Sequence, residues 1–461
     1  MASKITKISV TNNKISARGG LTFILNYFEN TGLFTLILRL LSPVITRGHK
    51  GINLYHFVRQ MLAFFIDGTN RALLHFDNLK NDQGYAAILE TEPALLASSH
   101  QIKRFFAKLA VVKDSYFNKV LHQLFIWRLK IDRPSVIELG IDTMVLDNDQ
   151  AKKRQGSEPT YKKVKGFQPL HISWGAFIVD ALFRKGTAHS NHGKDFTNRM
   201  RMIVNVIRKG YDANVPIILR ADSGFADQKA FEYFEKKLHI HYIITSRHYP
   251  DYYDYINNLD AENFTELQKG QAIWQYTEFG DRRKSWSKMR RCLYTRLKCD
   301  HQGQYKLHDA ATDTFIYTNI GMGGDADQRL REVGGDEYFQ VSTIISKSQE
   351  RGADELIHRS LKELATTEQL PFEDFGKNRA FYFLMVIAHF MYEAYKRDIT
   401  YDVISPVSYP NTFRRKLMDF AAMVVSHARN TQLKITRAVY NTMKINELWK
   451  RCHQPPPIAY A

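Results

Sequence analysis

Three carboxylates stand out by their neighbours: Asp142, Asp222 and Glu355. Asp142 follows the apolar run 136–141. Asp222 ends the branched-rich run 215–221 and is followed at once by Ser223, Gly224 and Phe225. Glu355 lies in a stretch of helical spacing, with Arg351 four residues before it and Lys362 seven after. An acid directly behind a buried strand sits where open α/β sheets place their ligands; the plainer reading of Asp222 is a turn-initiating Asp. Arg351, Glu355 and Lys362 share one helical stripe, which also reads as an exposed charge ladder. Asp142 has two competitors, Asp147 and Asp149. Asp147-Asn148-Asp149 opens like a haloacid-type phosphatase motif, but Ala151 stands where Thr or Val is needed, so the match is read as chance. If the three acids converge, they offer oxygen ligands to a hard cation such as Mg²⁺, and paired ions clamp the attacking and leaving oxygens of a phosphoryl transfer.

The elements that must position these acids follow from periodicity. Alternating or branched runs predict strands at 136–146, 168–174, 176–183, 215–221 and 240–245, with helices at 195–209 and 227–238. The first acid then lies on strand one, the second at the end of strand four and the third on a later helix. That is the arrangement of a ribonuclease H-like nucleotidyltransferase core, so an α/β fold class is expected. The interval before Glu355 is too long for a structureless loop and carries alternating runs at 272–279, 291–297, 304–307 and 314–319, so a β-rich insertion is expected. Residues 1–130 and 366–461 read as mostly helix. The expected division is 1–130 helical and DNA-binding, 131–248 core first part, 249–338 basic insertion, 339–400 core second part, and 401–461 helical and basic.

Composition supports a polyanion partner. The chain has 461 residues, which predicts two to four domains, and Lys+Arg 65 against Asp+Glu 47 gives +18. Each neutralised phosphate releases counterions, so such an excess favours nucleic acid, although a merely soluble basic protein has the same balance. Positions 282–298 hold eight basic residues, Arg282, Arg283 and Lys284 leading, with only Asp281 at the edge to offset them in sequence. Trp274 and Trp286 lie beside or within this run. The stretch 101–130 mixes Lys103, Arg104 and Lys108 with apolar positions, as a DNA-facing helix pair or a solvated face. Three cysteines without a C-x-x-C pair indicate neither a disulfide framework nor a cysteine zinc site. His189 with His192, and His239 with His241, lack the spacing of a zinc helix. The apolar stretches 21–41 and 381–395 are interrupted by polar residues, so buried helices are expected rather than membrane spans. The opening residues lack the apolar core of a signal peptide, and a cytoplasmic protein is expected.

Local sequences then resemble one family. Arg220-Ala221-Asp222-Ser223-Gly224-Phe225 is similar to the second-aspartate segment of DDE transposases from bacterial insertion sequences, and Gly140-Ile141-Asp142-Thr143 resembles their first-aspartate strand. Ser348 to Glu355, continued to Lys362, resembles the Tyr-x-x-Arg-x-x-x-Glu-x6-Lys signature of the IS-four-like families, closest to the IS-thirteen-eighty group. Gly19-Gly20-Leu21, Phe65-Ile66-Asp67-Gly68, the segment from Arg184 to Ser190, Leu370-Pro371-Phe372 and Phe375-Gly376-Lys377-Asn378 agree. One position departs: Ser348 stands where the signature has Tyr. The resemblance implies a transposase that binds the terminal inverted repeats of its element as double-stranded DNA, cleaves there and joins 3′-hydroxyls to target DNA. It implies Asp142, Asp222 and Glu355 as ligands of two Mg²⁺ ions, with Mn²⁺ as a substitute. Arg351 and Lys362 would contact terminal phosphates, Lys103 and Arg104 the element ends, and Arg282, Arg283 and Lys284 the backbone near the cut. A homodimer on DNA and a nucleoid location in a bacterial cytoplasm follow from the same resemblance. Trp274 or Trp286 would stack on an unpaired base or lie in the core. A ribonuclease H-like nuclease or resolvase without strand transfer, and a catalytically silent DNA-binding derivative, are the competing readings.

Overall fold

The computed structural model describes residues 4–45, 51–188, 194–284, 286–305, 313–350, 352–365, 368–427 and 430–459, with the backbone alone at 352–354. The chain clusters into two: one of Met1–Val120, Gln150–Gln155 and Arg359–Tyr460, the other of Leu121–Asp149 and Gly156–His358. The helix Asp114–Asp132 and the Glu355 helix, Gly352–Ala365, each pass from one unit into the other.

The second unit is built on a nine-stranded sheet. Its order is Thr265–Lys269, Ala272–Asp281, Arg290–Cys299, Thr314–Thr318, His241–Thr245, Ile217–Ala221, Ile137–Thr143, Leu170–Trp174 and Phe177–Leu182. The three strands Ile137–Thr143, Ile217–Ala221 and His241–Thr245 are mutually parallel; every other neighbour pair is antiparallel. Parallel strands are covered on both faces and so read as continuous apolar runs. Ile217, Ile218 and Leu219 are accordingly buried, and Ile218, Ile243, Leu293 and Ile316 share one core with Ile344 and Ile345 of the helix Val341–Gln349. The strands within 249–338 extend the acid-bearing sheet. Of the expected run at 304–307, Tyr305 bridges Cys299, and positions 306 and 307 lie outside the described residues. The helix expected at 227–238 ends in a π turn, Phe234–Leu238, closed by His239 in the left-handed region (φ 48°).

The first unit is mostly helical. Leu21–Asn30, Leu33–Leu41, Leu54–Asp67 and Ser99–Leu109 belong to it together with Phe375–Asp398, which is buried along most of its length. No single described helix is long and apolar enough to cross a membrane; the bent pair Leu21–Asn30 and Leu33–Val44 turns by 62°. The C-terminal stretch corrects the helical expectation. Ala422–His427 and Asn430–Ile435 form an antiparallel pair, to which Lys14–Ser16 adds a third strand. The β-branched residues Val424, Val425, Thr431 and Ile435 fit a pleated surface better than a helix.

Arg414, expected as part of a basic tail, is instead buried at 6% exposure. Its guanidinium donates to the carbonyls of Phe65 (2.7 Å), Ile66 (2.8 Å), Glu363 (3.1 Å) and Leu364 (2.7 Å). These are last-turn acceptors of the helices Leu54–Asp67 and Gly352–Ala365, groups that no intrahelical donor reaches. Positive charge there also complements both helix dipoles. Gly68 makes room: at φ 60°, a Cβ would stand 2.1 Å from the Arg414 guanidinium carbon. Arg414→Met strands these carbonyls and is expected to lower stability by about 2–4 kcal/mol. A urea midpoint equal to that of the parent protein would show that the clamp contributes nothing.

Candidate active site

Strand register brings the first two acids together. In the parallel pair, Ile141 lies opposite Ala221. Asp142 and Asp222 are the next residues on each strand, so they leave neighbouring strand ends side by side. Asp142 stays paired on its other flank, opposite His171. Its Oδ1 accepts from the Thr143 N–H at 2.7 Å, which fixes its rotamer. Asp222 caps a 3₁₀ turn, Ser223–Phe225, its Oδ1 accepting from the Gly224 N–H at 2.8 Å. Phe225 anchors that turn, buried against Phe196 at 4.9 Å between ring centres.

Two contacts bring the start of the Glu355 helix to the same edge. The Arg220 guanidinium, two residues before Asp222, lies 3.3 Å from both the Lys347 carbonyl and the Glu350 carboxylate. His358, on the same helix three residues after Glu355, lies 4.0 Å from Asp142 Oδ2 and 5.3 Å, centre to centre, from the His171 ring. The convergence registers on a fourth residue. Partial burial, and then the negative charges of Asp142, Asp222 and Glu355 together, raise the Tyr161 hydroxyl above its ordinary pKa.

Three carboxylates suit a hard divalent cation, which takes oxygen ligands. Among the described residues no group of three or more His, Cys, Asp or Glu side chains is close enough to hold a metal ion as placed. The acids face a common region without closing on one point. The donor set therefore fits in kind, and Asp142, Asp222 and Glu355 are the residues that would hold the ion.

The other sequence candidates have separate fates. Arg351, His189 and His192 lie outside the described residues. The Lys362 ammonium pairs with Glu368 at 2.9 Å. Asp147 and Asp149 act in the turn after the Asp142 strand: Asp147 Oδ1 accepts from the Asp149 N–H at 2.8 Å, and Asp149 Oδ1 from the Lys165 N–H at 3.3 Å. His241 is buried 3.7 Å from Asp327. Lys103 and Arg104 are exposed on Ser99–Leu109, whose other face buries Ile102, Phe105, Phe106 and Leu109. Arg128, on the next helix, is buried between Asp132 (2.9 Å) and the Trp127 and Phe177 rings.

The basic run 282–298 is offset by acids distant in sequence. Arg283 lies between Asp251 (2.7 Å) and Asp281 (3.1 Å), against the rings of Tyr249 and Tyr252. Lys288 and Arg290 share Glu235, Arg291 pairs with Glu278 at 2.8 Å, and Lys298 pairs with Glu266. Arg282 and Lys284 remain exposed. Trp286 packs edge-on against Phe231 and Tyr317. Sequence reasoning missed three residues beside the acids: His171, His358 and Tyr161. The i, i+3 spacing of His358 from Glu355 was a readable signal. The other two depend on strand register and on a loop that single-sequence patterns do not place.

No curated protein matches the chain. Among solved structures, the cryo-EM structure of a piggyBac transposase synaptic complex with hairpin DNA is similar at 10% identity and a TM-score of 0.40, over 95% of this chain and 83% of that one. Residues 2–456 match the family model described as transposase DDE domain, group 1, which spans nearly the whole sequence, and the chain therefore belongs to the DDE transposase family.

Proposed function

We propose that Asp142, Asp222 and Glu355 are the acidic triad of a DNA transposase that binds the terminal inverted repeats of its element, cleaves there and joins 3′-hydroxyls to target DNA. The observation that carries this reading is the register that sets Asp142 beside Asp222, with His358 of the Glu355 helix 4.0 Å from Asp142, within a chain of the DDE family. The order of the five strands from Phe177–Leu182 to His241–Thr245, with the first acid on the first strand and the second after the fourth, supports a ribonuclease H-like core. When bound, two Mg²⁺ ions would supply the charge that activates the attacking oxygen and stabilises the leaving one. The protein's part is to hold the acids: Thr143 and Gly224 fix one oxygen of each aspartate, and Arg220 ties the Asp222 strand to the segment before Glu355. The local motifs favour the IS-thirteen-eighty group and a bacterial element, and a homodimer on DNA is part of the same reading.

Asp142→Asn, Asp222→Asn and Glu355→Gln are each expected to abolish cleavage of end DNA while leaving binding within a few-fold, because affinity comes mainly from phosphate contacts. Asp147→Asn and Asp149→Asn, turn residues, should retain most activity. An inactive Asp147 variant beside an active Asp142 variant would reassign the first acid. A strand-transfer assay with a 3′-hydroxyl end separates this reading from a nuclease that cuts without joining.

Chelation should stop cleavage, Mg²⁺ or Mn²⁺ should restore it, and Ca²⁺ should allow binding alone, since its looser and higher coordination misplaces the reacting oxygens. Full activity in EDTA would refute a metal-dependent mechanism.

The exposed basic residues divide by expected role. Residues 1–120 fold with 359–460, so point substitutions rather than deletion are the clean probe. Lys103→Gln with Arg104→Gln should reduce the preference for element ends over random DNA. Arg282→Gln with Lys284→Gln should weaken both alike and flatten the salt dependence, by about 0.9 in log–log slope for each phosphate left without its cation. Arg283→Gln, which breaks two ion pairs, should lower stability more than affinity. Competition binding at two salt concentrations measures the DNA effects and a urea titration the stability; unchanged end preference in the Lys103/Arg104 variant would move recognition elsewhere.

A further inference from the structure

One motif of the family resemblance, Arg184 to Ser190, reaches the Asp142 strand through Arg184, whose guanidinium donates to the Thr143 hydroxyl at 3.2 Å, and its described residues lead to a second element at the site. Between the Asp142 strand and its antiparallel neighbour the chain folds a small hairpin, Glu158–Pro159 paired with Lys165–Phe167. Its tip is closed by the Thr160 N–H to the Val164 carbonyl and the Lys163 N–H to the Thr160 carbonyl, both 2.9 Å, with Lys163 in the left-handed region (φ 61°). The motif pins this hairpin from behind. Gly186 lies so close that a Cβ would stand 2.1 Å from the Glu158 carbonyl oxygen and 2.5 Å from that of Gly166. Arg184 Nε donates to the Gln168 carbonyl at 2.9 Å, and Thr187 bonds the Glu158 carboxylate. Gln168 then joins the two: its amide nitrogen donates to the Ala188 carbonyl at 2.7 Å, while its side-chain oxygen accepts from the Tyr161 N–H at 3.2 Å.

The result is a fixed tip that carries Tyr161, Lys162 and Lys163, all exposed; Tyr161 is 62% exposed. Gln168 stands two residues before Leu170, which lies opposite Thr143, the neighbour of Asp142. The tip is thereby anchored one strand away from the first acid. The charges of all three acids reach the Tyr161 hydroxyl. Tyr161 thus presents most of an aromatic ring to solvent on a braced turn, beside Lys162 at 5.9 Å from the ring centre and Lys163. It suits a nucleic-acid strand, whose phosphates the lysines would neutralise and whose bases offer a flat face. Ser348, where the signature has Tyr, offers no such face.

We propose that Tyr161 is the aromatic platform on which the terminal nucleotide of the DNA strand stacks as its scissile phosphate enters the acid cluster, with Lys162 and Lys163 on the adjoining phosphates. This rests on the transposase reading, and the test separates the two. The probe is a short DNA duplex whose terminal nucleotide is an unpaired 2-aminopurine, mixed in Ca²⁺ with full-length protein carrying Asp142→Asn to prevent cleavage. Stacking quenches the 2-aminopurine. Adding Tyr161→Ala should abolish the quench and weaken binding of the frayed end by about 5- to 150-fold, the range of one base–aromatic stack, while affinity for a fully paired duplex stays within about two-fold. Tyr161→Phe should keep both quench and affinity. Equal quenching with Ala, or loss of the quench with Phe, would overturn the platform. Failure of the parent protein to bind either duplex would overturn the DNA-handling reading and the platform with it, whereas a parent that binds both without quenching overturns the platform alone.

Discussion

The parallel pairing of two strands is the constraint on which the site depends. Side chains alternate along a strand, so a slip of one residue would turn every one of them to the opposite face. The register is protected because Ile137, Leu139 and Ile141 on one strand and Ile217, Ile218 and Leu219 on the other are all buried. Both faces of these strands are covered, so a slip would force each of these side chains into space shaped for another, at about 1–3 kcal/mol apiece. The same apolar residues that stabilise the sheet thus place Asp142 and Asp222 at matching ends. The acids themselves contribute nothing to that register. They stand just where the apolar runs stop.

The third acid needs a different device, because it arrives after a long excursion through the antiparallel half of the sheet. Ile344 and Ile345 seat the helix Val341–Gln349 on the core, and Arg220 holds the turn that follows. His358 reaches back towards Asp142. At the far end of the Glu355 helix, Arg414 takes the carbonyls of its last turn. A helix held at both ends keeps a carboxylate in place without burying it, and Glu355 is exposed.

Much of this was legible in the amino-acid order. The strands bearing Asp142 and Asp222, the two that follow Asp142, and the helix of Phe196 and Met200 all have clear periods, and they formed close to the expected positions. What was not legible has a physical reason in each case. The C-terminal strand pair sits in a segment too short for its period to declare itself. The basic run looked like an uncompensated patch because charge offset is a property of space. Glu235, Asp251, Glu266 and Glu278 neutralise it from up to 55 positions away, as with the bond from Ser287 to Glu232 beside them. Arg282 and Lys284 stay exposed at the start of the run, and the chain keeps its net charge of +18.

The short family-like segments separate into chemistry and construction. The segment from Arg220 to Phe225 carries an acid and the turn that orients it. Phe65 to Gly68 carries no chemistry; it is the socket for a guanidinium that caps two helices. Leu370 to Asn378 closes a loop, with Asn378 bonding both the N–H (2.9 Å) and the carbonyl (2.7 Å) of Phe372. A sequence pattern can therefore mark either a reacting group or a joint, and only the position of its polar atoms tells which. In Asn378 both side-chain polar atoms turn inward to the backbone. In Asp142 and Asp222 one carboxylate oxygen accepts from a neighbouring backbone N–H, so the backbone orients an acid where in Asn378 the side chain orients the backbone.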